Sequence, residues 1–343
     1  MSSERIEYFD FLRGIAIIFV IAIHSFSPFS LNESNTVVYH LAILWRQIIG
    51  CAVPIFLAIS GYFMSNKVLD TQSKYHLFIK KQIPRVYVPM LVWSLPFLIH
   101  SYLNDVSFIK SLIWFLVGGF SVYYFIILIV QYYILLPKLQ SLMSSIGGGK
   151  SLIYSGLVNF GSMVILFILT NVLNFSIPLV VYAGFFPVWI VFFVEGLYLG
   201  KNKIQLSTRK LIIFTILGLL VSVSETYFNI WYTGRFTGLG IKTGAFIYSF
   251  FAILLLFSFN KYYTSNSIVW KFLVYIGKIS FGIYLLHMYL LSFIVRPAVV
   301  QLNIEDYFLN QMMLVILTTM SCVIIIYFSR KVSLKHVSKY LGF

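Results

Sequence analysis

The first apolar run of this 343-residue chain, FDFLRGIAIIFVIAIHSFSPF at 9–29, sets Arg13 and His24 at either end of an uncharged stretch. Helical positions advance by about 100° each, so Arg13 and His24 differ by about 20° in azimuth, and Asp10 and His24 by about 40°. All three share one face, with His24 roughly 16 Å further along the axis than Arg13. Imidazole, with an ordinary pKa of about 6.5, takes a proton from a hydroxyl and returns it near neutral pH. A guanidinium binds carboxylates or phosphates in a two-pronged fashion. The plainer alternatives are a packed histidine bonded to a neighbouring carbonyl and a charge anchor at the membrane surface. Ionisable groups at such depth are costly and usually face an interior cavity, and the shared face lifts the pair above those alternatives.

Other polar residues sit in comparable surroundings. His287, in IGKISFGIYLLHMYL, follows the start of its apolar run by about as many residues as His24 follows its own, so the two rings are expected at one level. With no third ligand at helical spacing, a metal site is not expected. Arg85, in KKQIPRVYVP, is either a topology anchor or, with Lys80 and Lys81, a ligand for an anionic group. Ser60 and Gly61, in CAVPIFLAISGYFM, let a backbone or ligand approach closely, and on physics alone helix packing is the favoured reading. Glu195, in VFFVEGLYLG, is expected to pair with an arginine such as Arg13 or Arg85, with an acid–base role as the alternative. Asp10, one turn from Arg13, is placed to orient it.

These residues require helices that cross a bilayer. Hydrophobic residues make up 60% of the chain and charged residues 10%, with a mean hydropathy of +0.91; no soluble globular domain has that balance. Apolar runs recur roughly at 11–30, 42–64, 86–103, 112–136, 151–173, 179–200, 211–229, 243–260, 272–295 and 309–328. Each is continuously apolar, which fits helices and not the alternation of a barrel strand. The expected fold is therefore an all-α polytopic membrane protein with about ten transmembrane helices in a single membrane domain over 1–343. Pro89 and Pro96 suggest a kink in 86–103, and Pro187 with Glu195 an irregular span at 179–200. The stretches 65–82 and 137–150 read as loops, and the run Gly147-Gly148-Gly149-Lys150 lacks the spacing of a P-loop.

Charge sets the orientation. With the N-terminus cytoplasmic, 20 of the 25 basic residues fall on the cytoplasmic side; Arg46, Lys110, Arg235, Lys242 and Arg296 fall on or near the other. An even number of crossings and two cytoplasmic termini satisfy the positive-inside rule together. The net charge of +15 is then a topology signal, and its scatter over six segments speaks against nucleic acid. No small-residue cleavage site follows the first run, so it is expected to stay as a helix. Cys51 and Cys322 both lie inside apolar runs, which argues against a disulfide framework or a thiolate metal site.

The ordered segments YFDFLRGIAIIFVIAIHS, VPIFLAISGYF, FIKKQIPRVYVP, IWFL at 113–116, YYILLP at 132–137, VEGLYLG and IGKISFGIYLLH resemble the membrane-bound acyltransferase-3 family over residues 8 to 287. One departure is the phenylalanine pair common before the Ser-Gly motif, which reads Ile55-Phe56-Leu57 here. The resemblance implies an integral membrane enzyme that moves an acyl group, usually acetyl, from acyl-CoA to a hydroxyl of a carbohydrate or glycolipid acceptor. It implies His24 as the catalytic residue and Arg13 and Arg85 as donor-holding residues; the reading of the residues themselves gives Arg13 a share in catalysis and adds Lys81, Ser60 and Gly61 on the donor side and Asp10, Glu195 and His287 in support. Acetyl-CoA is the expected donor, no metal is expected, and the expected location is the cytoplasmic membrane of a bacterial cell. Two other classes fit the apolar spans: a transporter or flippase of a lipid-linked sugar, which needs no donor, and a helical scaffold or receptor, which would use His24 and Arg13 for packing alone.

Overall fold

The computed structural model describes residues 7–26, 36–104, 106–233, 241–262, 267–332 and 340–343. Arg5, Arg235, Lys335 and Lys339 of the topology argument, and Ser27 and Pro28 of the opening run, lie outside them. The described residues form helices and no strand: α1 (Glu7–Ser25), α2 (Val37–Ile49), α3 (Ala52–Met64), α4 (Gln72–Leu103), α5 (Phe108–Leu116), α6 (Tyr124–Ile146), α7 (Gly148–Phe167), α8 (Leu179–Tyr182), α9 (Ile190–Leu199), α10 (Thr208–Thr233), α11 (Thr243–Ser258), α12 (Ile268–Lys278), α13 (Ser280–Leu290), α14 (Arg296–Val300) and α15 (Tyr307–Val332). Among them are 8 helical stretches long and apolar enough to cross a membrane. The other two expected spans correspond to the shorter apolar helices α9 and α11.

Several boundaries differ from expectation, each for a local reason. Helix α4 begins at Gln72, where the Thr71 side chain accepts a hydrogen bond from the Lys74 N–H, so Lys80 and Lys81 ride on the same helix as Arg85 instead of ending a loop. Pro84, Pro89 and Pro96 all lie inside that helix without ending it. The expected span 112–136 is divided: α5 stops at Leu116, and Gly118 and Ser121 take positive φ before α6 begins. The expected loop at 137–150 is helical except at Gly147, whose φ of 87° turns the chain from α6 into α7. The run 272–295 likewise breaks at Ile279, between α12 and α13.

The chain forms two compact units. Met1–Phe56 with Lys203–Ile326 make the first, and Leu57–Asn202 with Tyr327–Phe343 the second. In the first, α1 packs against α12, α13 and α2, while α10 packs against α11 and α2. The α1–α12 crossing is backbone on backbone: a Cβ on Gly14 would collide with the Leu273 carbonyl, and one on Gly277 with the Asp10 carbonyl. Small residues at such crossings let helices approach where lipid supplies no hydrophobic drive.

In the second unit, α4 packs on α5 and α6, and α7 on α9. Ahead of α9 the backbone is irregular, as Pro187 suggested, and side chains from α6 and α7 satisfy it. Gln131 donates to the Gly184 carbonyl at 2.6 Å and accepts from the Phe186 N–H at 3.2 Å. Tyr132 donates to the Phe186 carbonyl at 2.7 Å, Asn159 to the Val188 carbonyl, and Trp189 closes the loop onto the Ala183 carbonyl at 2.8 Å. Non-helical backbone at membrane depth survives only with such partners.

The α1–α12 crossing makes a direct prediction. Gly277→Ala forces those backbones apart and costs about 1–3 kcal/mol, as overpacking does. Gly156→Ala, where nothing lies within 4 Å of an added Cβ, is expected to leave the detergent-solubilised melting temperature unchanged or raised. Equal melting temperatures in the two variants would remove the crossing as a structural constraint.

Candidate functional site

Helix α1 carries three of the expected residues into the first unit. Asp10 is fully buried beside the α12 crossing, and its Oδ1 accepts a hydrogen bond from Arg13 Nη1 at 2.8 Å. The Arg13 side chain keeps 22% of its surface accessible, and the carboxylate fixes its guanidinium.

His24 lies in the last turn of α1, half-buried, and its ring makes no hydrogen bond to any described residue. His287, fully buried on α13, stands beside it: the ring centroids are 5.5 Å apart and the planes inclined by 44°. The Nδ1 of His287 lies 2.7 Å from the Tyr284 carbonyl. A carbonyl only accepts, so Nδ1 carries the proton and Nε2 keeps its lone pair. That Nε2 is buried with no hydrogen-bond partner among the described residues, and is the one ring position in this pair whose tautomer the fold fixes as a base. The two histidines meet, as their matching depths suggested.

Basic residues complete the surroundings. Arg296 Nη2 donates to the His24 backbone carbonyl at 2.9 Å. Arg46, on α2, is buried, and both guanidinium groups act electrostatically on the His24 ring. Lys242, just ahead of α11, is buried with its Nζ bonded to the Ser222 carbonyl at 2.7 Å and to Thr226 Oγ1; burial lowers its pKa to about 8, with the Glu225 charge opposing the shift and the Arg46 charge adding to it. Arg46, Lys242 and Arg296 are three of the five basic residues that the topology expected from the sequence leaves off the cytoplasmic side. The charge pattern sets these residues apart in the sequence without giving them a role.

The remaining expected residues belong to the second unit. Lys80, Lys81 and Arg85 are exposed on α4, with Lys81 and Arg85 one turn apart on one face. Gly61 is closed off by α9: a Cβ there would collide with the Phe193 carbonyl, and one on Gly196 with the Ala58 carbonyl. The packing reading therefore accounts for Gly61, while Ser60 beside it is half-buried. Glu195, on α9, departs from expectation. It is fully buried, and neither carboxylate oxygen has a hydrogen-bond partner among the described residues.

A family profile described as an acyltransferase domain matches residues 6–330. No curated protein and no solved structure matches the chain.

A buried carboxyl without partners is a cost that an apolar isostere removes. Glu195→Met, of similar volume, is expected to raise the melting temperature of the purified protein. A fall equivalent to about 3–5 kcal/mol, the usual result of breaking a buried pair, would reinstate the pairing reading.

Proposed function

Because the chain belongs to the acyltransferase-3 family, we propose that this membrane acyltransferase moves an acetyl group from acetyl-CoA to a hydroxyl of a cell-surface or lipid-linked carbohydrate. The observation that carries the reading is the His24–His287 pair, in which His24 lies on the helix that also bears the Asp10-oriented Arg13 and His287 faces it from α13. The termini lie in the cytoplasm in this reading, and the membrane is the cytoplasmic membrane of a bacterium. Arg13 then faces the side on which acyl-CoA is found.

His24 is the general base. Its free ring nitrogen takes the proton of the acceptor hydroxyl as the oxygen bonds to the thioester carbonyl carbon. The C–S bond breaks, the acyl group leaves with the acceptor, and the proton passes from His24 to the departing thiolate. Nothing is oxidised or reduced. His287, with Nδ1–H held by the Tyr284 carbonyl, presents Nε2 as a second acceptor that orients the hydroxyl or the His24 N–H. Arg13 binds phosphate oxygens of the donor at one end of α1, and the extended pantetheine chain covers the roughly 16 Å to His24. Arg85 keeps the donor-side role that the resemblance implies, and Lys81, an exposed cation on the same face of α4, adds its charge to it.

Thermal unfolding of the solubilised protein with and without acetyl-CoA tests this. A donor at about 100 times its Kd adds about 2.7 kcal/mol. The shift is expected in wild type and in His24→Ala, and lost in Arg13→Ala and Arg85→Ala, while cells carrying His24→Ala make no acylated product. Absence of any shift at millimolar acetyl-CoA in wild type would favour a carrier of lipid-linked sugars.

A further inference from the structure

Between His287 and Arg296 the helix changes type. Residues Leu291–Val295 form a π-helical turn, closed by the Arg296 N–H on the Leu291 carbonyl. The two residues are nine positions apart, which in an unbroken α-helix is about 900°, or half a turn beyond two full ones. Arg296 would then stand on the opposite face from His287. A π turn takes in one extra residue without advancing the helix by a residue's rotation. The separation falls to about 80°, and both side chains reach α1.

Each of them reaches the same residue. His287 lies beside the His24 ring, and Arg296 Nη2 holds the His24 carbonyl at 2.9 Å. Helix α1 ends at Ser25, so that carbonyl is one of the last four, which have no intrahelical donor. A cation at a helix C-terminus is favoured by the macrodipole as well. We infer that the π turn at 291–295 is a register device that makes Arg296 a positioning residue for His24, clamping its backbone while His287 meets its ring. The inference rests on the reading of His24 as the catalytic base. The clamp has a geometric purpose there: a half-buried ring in the last turn of a helix, with no hydrogen bond of its own, is otherwise free to swing as that turn frays.

The test uses the full-length protein, labelled with 15N-histidine and reconstituted in lipid bilayers, with ring signals assigned by His24→Gln and His287→Gln. In Arg296→Gln the His24 ring-nitrogen signals are expected to move by more than a linewidth, and those of His40, His76 and His100 to stay in place. Arg296→Lys, which keeps a cationic donor, is expected to return them toward the wild-type positions, which loss of mere packing would not allow. Deletion of the exposed Ser292 removes the extra residue and leaves the two side chains eight α-helical positions, about 800°, apart; it keeps their separation near 80° and is expected to leave the His24 signals near their wild-type positions. Unmoved His24 signals in Arg296→Gln, or movement that Arg296→Lys leaves uncorrected, would overturn the positioning role. The acetyl-CoA thermal shift, measured on the same samples, is expected to persist in Arg296→Gln. Its absence from wild type would count against acyl transfer alone, because the histidine spectra decide the clamp independently.

Discussion

The contact of two backbones at Gly14 and Gly277 is the constraint on which the first unit depends. It fixes α1 against α12 at a distance no side chain would permit, and α12 runs through a single break into α13. The relative height of the two histidines is therefore set by main-chain contact, well away from the rings. Asp10 supplies the carbonyl at one of these contacts and the carboxylate that holds Arg13, so one residue joins the helix crossing to the ionic pair. Geometry set by rigid backbone is what a proton-transfer site needs, because donors and acceptors must be held to fractions of an ångström.

Much of this was legible in the sequence. The azimuths of Asp10, Arg13 and His24 follow from helical periodicity alone, and the matching depths of His24 and His287 from counting residues past each helix start. Helix ends were less legible, since the breaks at 117–123 and at Ile279 are marked only by short punctuation, Gly118-Gly119 with Ser121 in one and Gly277-Lys278 with Ser280 in the other, inside runs that stay apolar on both sides. The π turn at 291–295 was invisible, as LSFIV carries no composition that separates an i→i+5 turn from an α-helix. Arg296 was consequently read as a misplaced charge. Glu195 was misjudged because pairing was inferred from the cost of a buried charge, and a sequence does not show which side chains a tertiary fold brings within reach of it.

Charge distribution and chemistry prove to be linked. The positive-inside bias separates most basic residues from the minority that fall elsewhere, and within the first unit Arg46, Arg296 and Lys242 are members of that minority that gather near His24 or one another. A residue that defies the topological rule has to be maintained by something else. Here the buried hydrogen bonds of Lys242 and the carbonyl clamp of Arg296 supply that reason.

The irregular backbone at 183–189 bears on how the chain enters the membrane. Its carbonyls and the Phe186 amide are satisfied by Gln131, Tyr132 and Asn159, side chains of α6 and α7, together with Trp189 of the segment itself. Released alone into lipid, this segment would expose those groups to hydrocarbon, and a helix of 10 residues cannot cross unaided. The partners precede the segment in the chain and so emerge first from the ribosome. The order of synthesis thus delivers a polar docking surface before the segment that needs it, and α9 joins the membrane as a guest of helices already in place.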